Sequence, residues 1–219
     1  MFLAIKVSDE MKVKVTKDGP YMVSGGVPLR SEVIKRTEEG RAEKWGEVKR
    51  YYPDDTYMLC RCGKSTGRPF CTGEHADFDG TETAKRGTYE DGARVAISAD
   101  GVELSQNPVL CVGVGFCHGK HYIDKTVKSK DTLDIALQQT YDCPGGSLLI
   151  KINGVPQEPE FEKCISVISA QQPNLLWVKG GIQVESSDGY KYEKRVRVAL
   201  CSCGKSKNKP FCDAAHLRR

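Results

Sequence analysis

No stretch of this 219-residue sequence is long and apolar enough to cross a bilayer: one of the longest, Val109 to Phe116, falls far below the roughly 18 residues required. An excess of one charge is missing too. Thirty-three Lys and Arg against 29 Asp and Glu leave +4, and the signs alternate along most of the chain, so no nucleic-acid footprint is indicated. The opening run Met1-Phe2-Leu3-Ala4-Ile5 meets Lys6 too early for a signal-peptide h-region and follows no basic segment, so secretion is not expected. There is no phosphate-cradling glycine loop, no paired-carboxylate site and no nicotinamide or flavin fingerprint, so an enzyme is not expected. Together these absences describe a cytoplasmic protein with neither membrane nor nucleic acid as partner.

Cysteine is where the composition stands out. Ten cysteines, about 4.6%, are too few for a disulfide scaffold, yet too many for a reducing compartment to carry without a use, and metal is the use that remains. The length allows one compact body or two small ones.

The chain repeats itself. Cys60-Arg-Cys62-Gly-Lys-Ser-Thr-Gly-Arg-Pro69-Phe-Cys71-Thr-Gly-Glu-His75 is answered, at a constant offset of 141 residues, by Cys201-Ser-Cys203-Gly-Lys-Ser-Lys-Asn-Lys-Pro210-Phe-Cys212-Asp-Ala-Ala-His216. Upstream, Tyr21-Met-Val-Ser-Gly25-Gly26 parallels Leu176-Trp-Val-Lys-Gly180-Gly181. The first copy carries 14 extra residues, placed in the charged stretch Ile34 to Arg50 as a solvated loop or hairpin extension. Period-two alternation predicts strands at Lys12 to Thr16 and Arg195 to Val198, and Tyr57-Met58-Leu59 and Ala199-Leu200 run straight into the Cys-x-Cys pairs. One helix is predicted from Asp131 or Thr132, with Asp131 as its cap, ending before Cys143-Pro144; a strand follows at Ser147 to Ile152.

Three thiols and an imidazole within 16 residues suit a soft or borderline metal, so zinc and an iron-sulfur centre both satisfy the inventory. A Cys-x-Cys pair is tighter than the usual zinc spacing. It can grip one iron, while Cys and His separated by three residues, one helical turn apart, can grip a second, and the spacing favours a two-iron centre. Lys64 and Lys205, just after the pairs, are expected to be solvated.

The pattern Cys-x-Cys-x2-Ser/Thr-x3-Pro-x-Cys-Asp-Gly-x-His resembles the signature of the CDGSH iron-sulfur proteins, here present twice. The resemblance implies that Cys60, Cys62, Cys71 and His75 hold one 2Fe-2S cluster, and Cys201, Cys203, Cys212 and His216 another; Ser65, Ser206, Pro69 and Pro210 also match. It implies electron transfer or cluster transfer, with redox proteins or apo iron-sulfur acceptors as partners. It further suggests two units packed as an internal pseudo-dimer within a monomer. The fold expected is β-rich α+β, with a unit at 1–83, a middle segment at 84–165 and a second unit at 166–219. The copies depart from the pattern after the third cysteine, with Thr72-Gly73 and Asp213-Ala214. An Asp there caps a short helix better than a Thr, so the first centre is expected to be held more loosely. A neutral imidazole in place of a thiolate should raise the potential, and acid should compete with iron for His75 and His216. A structural zinc-binding interaction module is the alternative.

The middle segment adds Cys111-x5-Cys117-His118 and Cys143-Pro144, over about 40 residues similar to the divergent single-cluster ferredoxins. Three thiols could hold a third cluster completed by Cys164 or His118, but a remnant with cysteines packed in a core is the preferred reading. A nucleophilic Cys117 beside His118 finds no supporting signature.

Overall fold

The computed structural model describes residues 10–168 and 175–217; the N-terminal run to Ile5 lies outside them. The protein is α+β and β-rich, with three sheets and one helix longer than two turns among the described residues. No helix among the described residues is long and apolar enough to cross a membrane.

Two sheets contain strands from both copies of the repeat. In the first, β1 (Lys12–Val15), β2 (Tyr21–Ser24) and β5 (Tyr57–Leu59) pair antiparallel in that order, and β12 (Gln183–Glu185) joins β1 in parallel, with Val13 opposite Val184. In the second, β10 (Cys164–Ile168), β11 (Leu175–Lys179) and β13 (Arg197–Cys201) repeat that antiparallel order. There β3 (Leu29–Arg36) joins β10 in parallel, with Ile165 opposite Leu29. Each copy therefore sends the strand after its Gly-Gly pair into the sheet of the other. Gly25, Gly26, Gly180 and Gly181 all take positive φ, between 65° and 86°, where a side chain would be strained.

The exchange explains the apolar pattern. On β1, Val13 and Val15 are buried while Lys12 and Lys14 stay half-exposed. Their core is common to both copies: Val13, Val15, Tyr21, Val23 and Leu59 pack in one cluster with Ile165, Val167, Leu176, Val178 and Leu200. The internal pseudo-dimer is thus one hydrophobic body with an approximate two-fold axis.

The insertion in the first copy is a hairpin extension, β3 with β4 (Ala42–Tyr51), widening the second sheet at its edge. β4 keeps Ala42 buried and leaves most of its charged side chains in solvent. The strand expected at Arg195 begins at Arg197, and β13 is buried along its whole length, not half-exposed. Its charged residue explains the difference. Arg197 Nε donates to the Cys143 carbonyl at 3.1 Å and Nη2 to the Leu148 carbonyl at 3.0 Å, and Nη1 meets the Glu158 carboxylate. A side chain that resembled a wet face is the bolt to the middle segment.

That segment forms the third sheet, an antiparallel meander of β6 (Arg94–Ala99), β7 (Val102–Gln106), β8 (Leu148–Ile152) and β9 (Val155–Gln157). A one-turn helix α1 (Ile123–Thr126), unmarked in the sequence, and α2 (Leu133–Tyr141) cover it, burying Ile123, Val127 and Ala136 against Leu104, Leu148 and Ile150. Asp131 does not cap α2. Ser129 accepts from the Asp131 amide and starts a 3-10 turn that leads into the helix.

Candidate metal centres

Each quartet sits on a strand end and a tight turn. β5 delivers Cys60 and β13 carries Cys201 as its last residue. The Cys60 amide donates to the Pro69 carbonyl at 2.8 Å and the Cys201 amide to that of Pro210 at 2.9 Å, closing equivalent loops. Ser65 and Ser206 do matching work: their hydroxyls donate to the Phe70 and Phe211 carbonyls at 2.6 and 2.7 Å and accept from the Gly67 and Asn208 amides. The third cysteines are held back on the strand, with Cys71 N to Met58 O at 2.9 Å and Cys212 N to Ala199 O at 2.8 Å. Lys64 and Lys205 are exposed, as expected of solvated lysines.

The eight side chains come together as four pairs. Cys60 and Cys62 Sγ lie 3.9 Å apart, and Cys71 Sγ is 3.3 Å from His75 Nδ1. In the second copy Cys201 and Cys203 Sγ lie 3.6 Å apart, with Cys212 Sγ 3.8 Å from His216 Nδ1. The two halves of the first quartet approach through Cys62 Sγ, 4.0 Å from the Glu74 carbonyl. Among the described residues no three Cys, His, Asp or Glu side chains converge to hold a single ion.

Electrostatically these are thiols waiting for a cation. Burial raises Cys62 and pushes Cys212 up to about 12. The hydrogen bond shared by Cys201 and Cys203 lowers Cys201 and raises Cys203, so the pair gives up one proton more easily than the other. Burial also lowers His216, leaving the imidazole neutral and its nitrogen available as a donor. A bound metal supplies the positive charge that lets such thiols ionise.

Between the paired cysteines lie two residues that the sequence reading passed over. Arg61 Nε and Ser202 Oγ, at equivalent positions in the two copies, are buried polar atoms without a partner among the described residues. Arg61 is 2% exposed and forms no ion pair among those residues; Nη1 and Nη2 donate to the Thr16 and Gly80 carbonyls, and the guanidinium lies between the rings of Tyr21 and Phe78. A buried cation and a buried hydroxyl, each short of an acceptor beside a thiol pair, fit a group bearing negative charge and acceptor atoms, such as sulfide. The alternation of Arg and Ser at the middle of Cys-x-Cys was the available signal.

The centres are neighbours. Tyr21, from the first copy, places its hydroxyl 2.8 Å from the Cys201 carbonyl and 2.9 Å from that of Pro210, and the Thr83 and Ala84 amides donate to the Lys209 carbonyl. They differ in cover. Cys212 is buried, whereas Cys71 is half-buried and residues 72–74 are exposed. Asp213 Oδ1 accepts from the Ala215 amide at 2.9 Å, at the 3-10 turn Ala215–Leu217 that carries His216. Thr72 instead meets Ser65 Oγ and the Glu74 carboxylate, and no backbone amide among the described residues.

The remaining cysteines divide. Burial pushes the Cys117 thiol up to about 11, with Cys143 and Cys111 nearby as smaller causes, and burial also raises Cys143, with Cys111 again a smaller cause. Cys111 is exposed, so a wholly core-packed remnant does not describe the trio. A thiol pushed up to about 11 is the reverse of an activated nucleophile, although Cys117 Sγ lies 3.1 Å from His118 Nδ1. Cys164 is buried on β10 with Arg30, Lys179 and Glu32 as its charged neighbours.

Residues 18–76 and 175–217 each match the family model described as an iron-binding zinc finger of CDGSH type. No curated protein and no solved structure matches the chain.

Proposed function

Since the chain carries two CDGSH-type iron-binding units, we propose that Cys60, Cys62, Cys71 and His75 hold one 2Fe-2S cluster and Cys201, Cys203, Cys212 and His216 a second. The protein would act in electron transfer or iron-sulfur cluster transfer, releasing its clusters more readily as pH falls. The observation that carries this reading is the pairing: four close ligand pairs, two per motif, with no convergence of three ligands on one point among the described residues. A single tetrahedral zinc would draw all four side chains together, whereas two bridged irons need two ligands each. The orphaned Arg61 Nε and Ser202 Oγ add support, being donors in want of an acceptor beside each thiol pair.

A bound cluster supplies a one-electron couple, at a potential above the all-cysteine range because one thiolate is replaced by imidazole. The chain's part is to hold the ligands, shield the thiolates and neutralise their charge. His75 and His216 would be the ligands for which protons compete as pH falls. This reading is of a carrier and not an enzyme, working as a cytoplasmic monomer with redox proteins or apo iron-sulfur acceptors as partners.

Iron, zinc and acid-labile sulfide analysis of anaerobically purified protein, with a visible spectrum, tests it. Two clusters correspond to four irons and four sulfides per chain, with colour that fades on acidification and fades more slowly in His75→Cys. Zinc without sulfide in a colourless protein overturns the reading in favour of a structural zinc module.

A further inference from the structure

We infer that the two centres are unequal by construction: the first is the exchange site, offered on an open face to an apo-protein presenting a cysteine-lined site, and the second is retained under a cap built from the middle segment. This rests on the proposed 2Fe-2S reading and assigns each centre its task.

The cap is the chain between Leu110 and Val114. Val112, 1% exposed, packs in one cluster with Cys212, Trp177 and Ala199, and Val114 lies against the same cluster. A β-carbon on Gly113 would stand 2.7 Å from Leu217 Cδ1 and 3.6 Å from Ala214 Cβ, so this loop rests on the turn that bears His216. Its near end is clamped: a β-carbon on Gly145 would meet the Leu110 carbonyl oxygen at 2.0 Å and Val112 Cγ1 at 3.4 Å. Gly145 in turn accepts from Arg195, and the neighbouring Cys143 carbonyl accepts from Arg197 on β13. The cap is therefore tied both to the third sheet and to the strand that carries Cys201.

Around the first centre, Thr66, Gly67, Arg68, Thr72, Gly73 and Glu74 are exposed and Cys71 is half-buried, whereas Cys212 is buried and residues 213–215 are half-buried; the two histidines are alike, both half-buried. A β-carbon on Gly73, one of the exposed residues beside Cys71, would meet nothing within 4 Å. Local fastening runs the same way, since Asp213 pins its turn through the Ala215 and Lys207 amides while Thr72 fastens no amide among the described residues.

Exchange at an open face is ligand substitution. An acceptor thiol attacks iron on the Cys71–His75 side, an iron–sulfur bond to the acceptor forms, and the bond to His75 Nδ1 or Cys71 Sγ breaks. The acceptor's thiol proton passes to the departing ligand. No electron changes hands, and the sequence repeats until Cys60 and Cys62 are also released as thiols. Each step needs room for an incoming sulfur beside the ligand, which the first centre offers and Val112 and Gly113 deny at the second.

The test mixes fully loaded protein, anaerobically, with the apo form of an all-cysteine 2Fe-2S ferredoxin. Transfer is followed by circular dichroism, and freed cysteines are alkylated at intervals and located by mass spectrometry. The expected course has two phases at least tenfold apart, with Cys60, Cys62 and Cys71 alkylated in the fast phase and Cys201, Cys203 and Cys212 in the slow one. Val112→Asp should accelerate the slow phase toward the fast; if that variant does not fold, the alkylation order in the unaltered protein decides alone. A single phase, or second-quartet cysteines appearing first, overturns the inference while leaving cluster binding intact. Zinc without sulfide in the starting protein overturns the underlying reading.

Discussion

Gly63 faces the carbonyl of Cys203 so closely that a β-carbon on it would stand 2.7 Å from the oxygen, and Gly204 faces the Cys62 carbonyl at 2.6 Å in the reciprocal contact. The backbones of the two centres touch across the approximate two-fold axis, and only glycine fits at the contact. Gly63 also has φ +81°, so Gly63→Ala carries backbone strain and a clash with main chain that cannot swing aside. It should cost about 2 kcal/mol or more. Gly73→Ala, with φ +98° and open space around it, should cost about 1 kcal/mol from the backbone alone. Denaturant unfolding of the two variants separates the contact from the conformation, and iron content of Gly63→Ala should fall at both centres.

Arg61 is a buried cation with no carboxylate in ion-pair range among the described residues. If the first centre supplies the missing negative charge, Arg61→Gln removes a favourable term that grows on reduction. The reduction midpoint should drop by on the order of 1 kcal/mol of one-electron free energy, resolved by spectroelectrochemical titration. An unchanged midpoint would show that the guanidinium serves packing between Tyr21 and Phe78 alone.

Asp142, at the end of α2, is pushed up to about 6 by burial, with Gln138 donating to its carboxylate at 3.2 Å as a smaller opposing effect. The folded value lies above that of the unfolded chain. The native state therefore takes up a proton on acidification before the unfolded state does, and the carboxylate's charged form costs stability at neutral pH. Asp142→Asn should stabilise the protein by about 2 kcal/mol at pH 7, and the gain should shrink between pH 6 and 4 until the two proteins match. Parallel melting curves across that range check the slope.

Lys179 on β11 and Glu32 on β3, strands separated by β10, form a buried pair at 2.6 Å, with Lys179 Nζ 3.8 Å above the Trp177 ring. Burial lowers the Lys179 pKa despite the pairing. Removing only the acid leaves an uncompensated ammonium, so Glu32→Gln should destabilise by about 3 kcal/mol, while Glu32→Leu with Lys179→Met should recover most of the loss. Chemical denaturation of the single and double variants completes the comparison.

The repeat, its eight ligand-type residues and the strands leading into Cys60 and Cys201 were legible because each is a local pattern: spacing, alternation, or a constant offset. Strand exchange was not. Which sheet receives Leu29 or Gln183 is decided by pairing with residues more than 130 positions away, and nothing within either strand, eight and three residues long, records its partner. Arg197 misled for a related reason, since a charged residue in an alternating run reads as solvent-facing unless the carbonyls of Cys143 and Leu148 are known to wait for it. Asp131 does not cap α2 because a 3-10 turn capped by Ser129 precedes the helix, whose own N-cap, Thr132, makes no side-chain cap bond. The cap over Cys212 was invisible for the same reason as the exchange: Val112 and Cys212 lie 100 residues apart.

Strand exchange also imposes an order on synthesis. β12 is the edge strand of the first sheet, and it leaves the ribosome long after Cys60, Cys62, Cys71 and His75 have emerged. The earliest-made quartet thus belongs to a sheet that is finished late, and that sheet is complete only once the nascent chain has grown past Glu185. Iron arriving earlier would meet loose thiols and not a formed site.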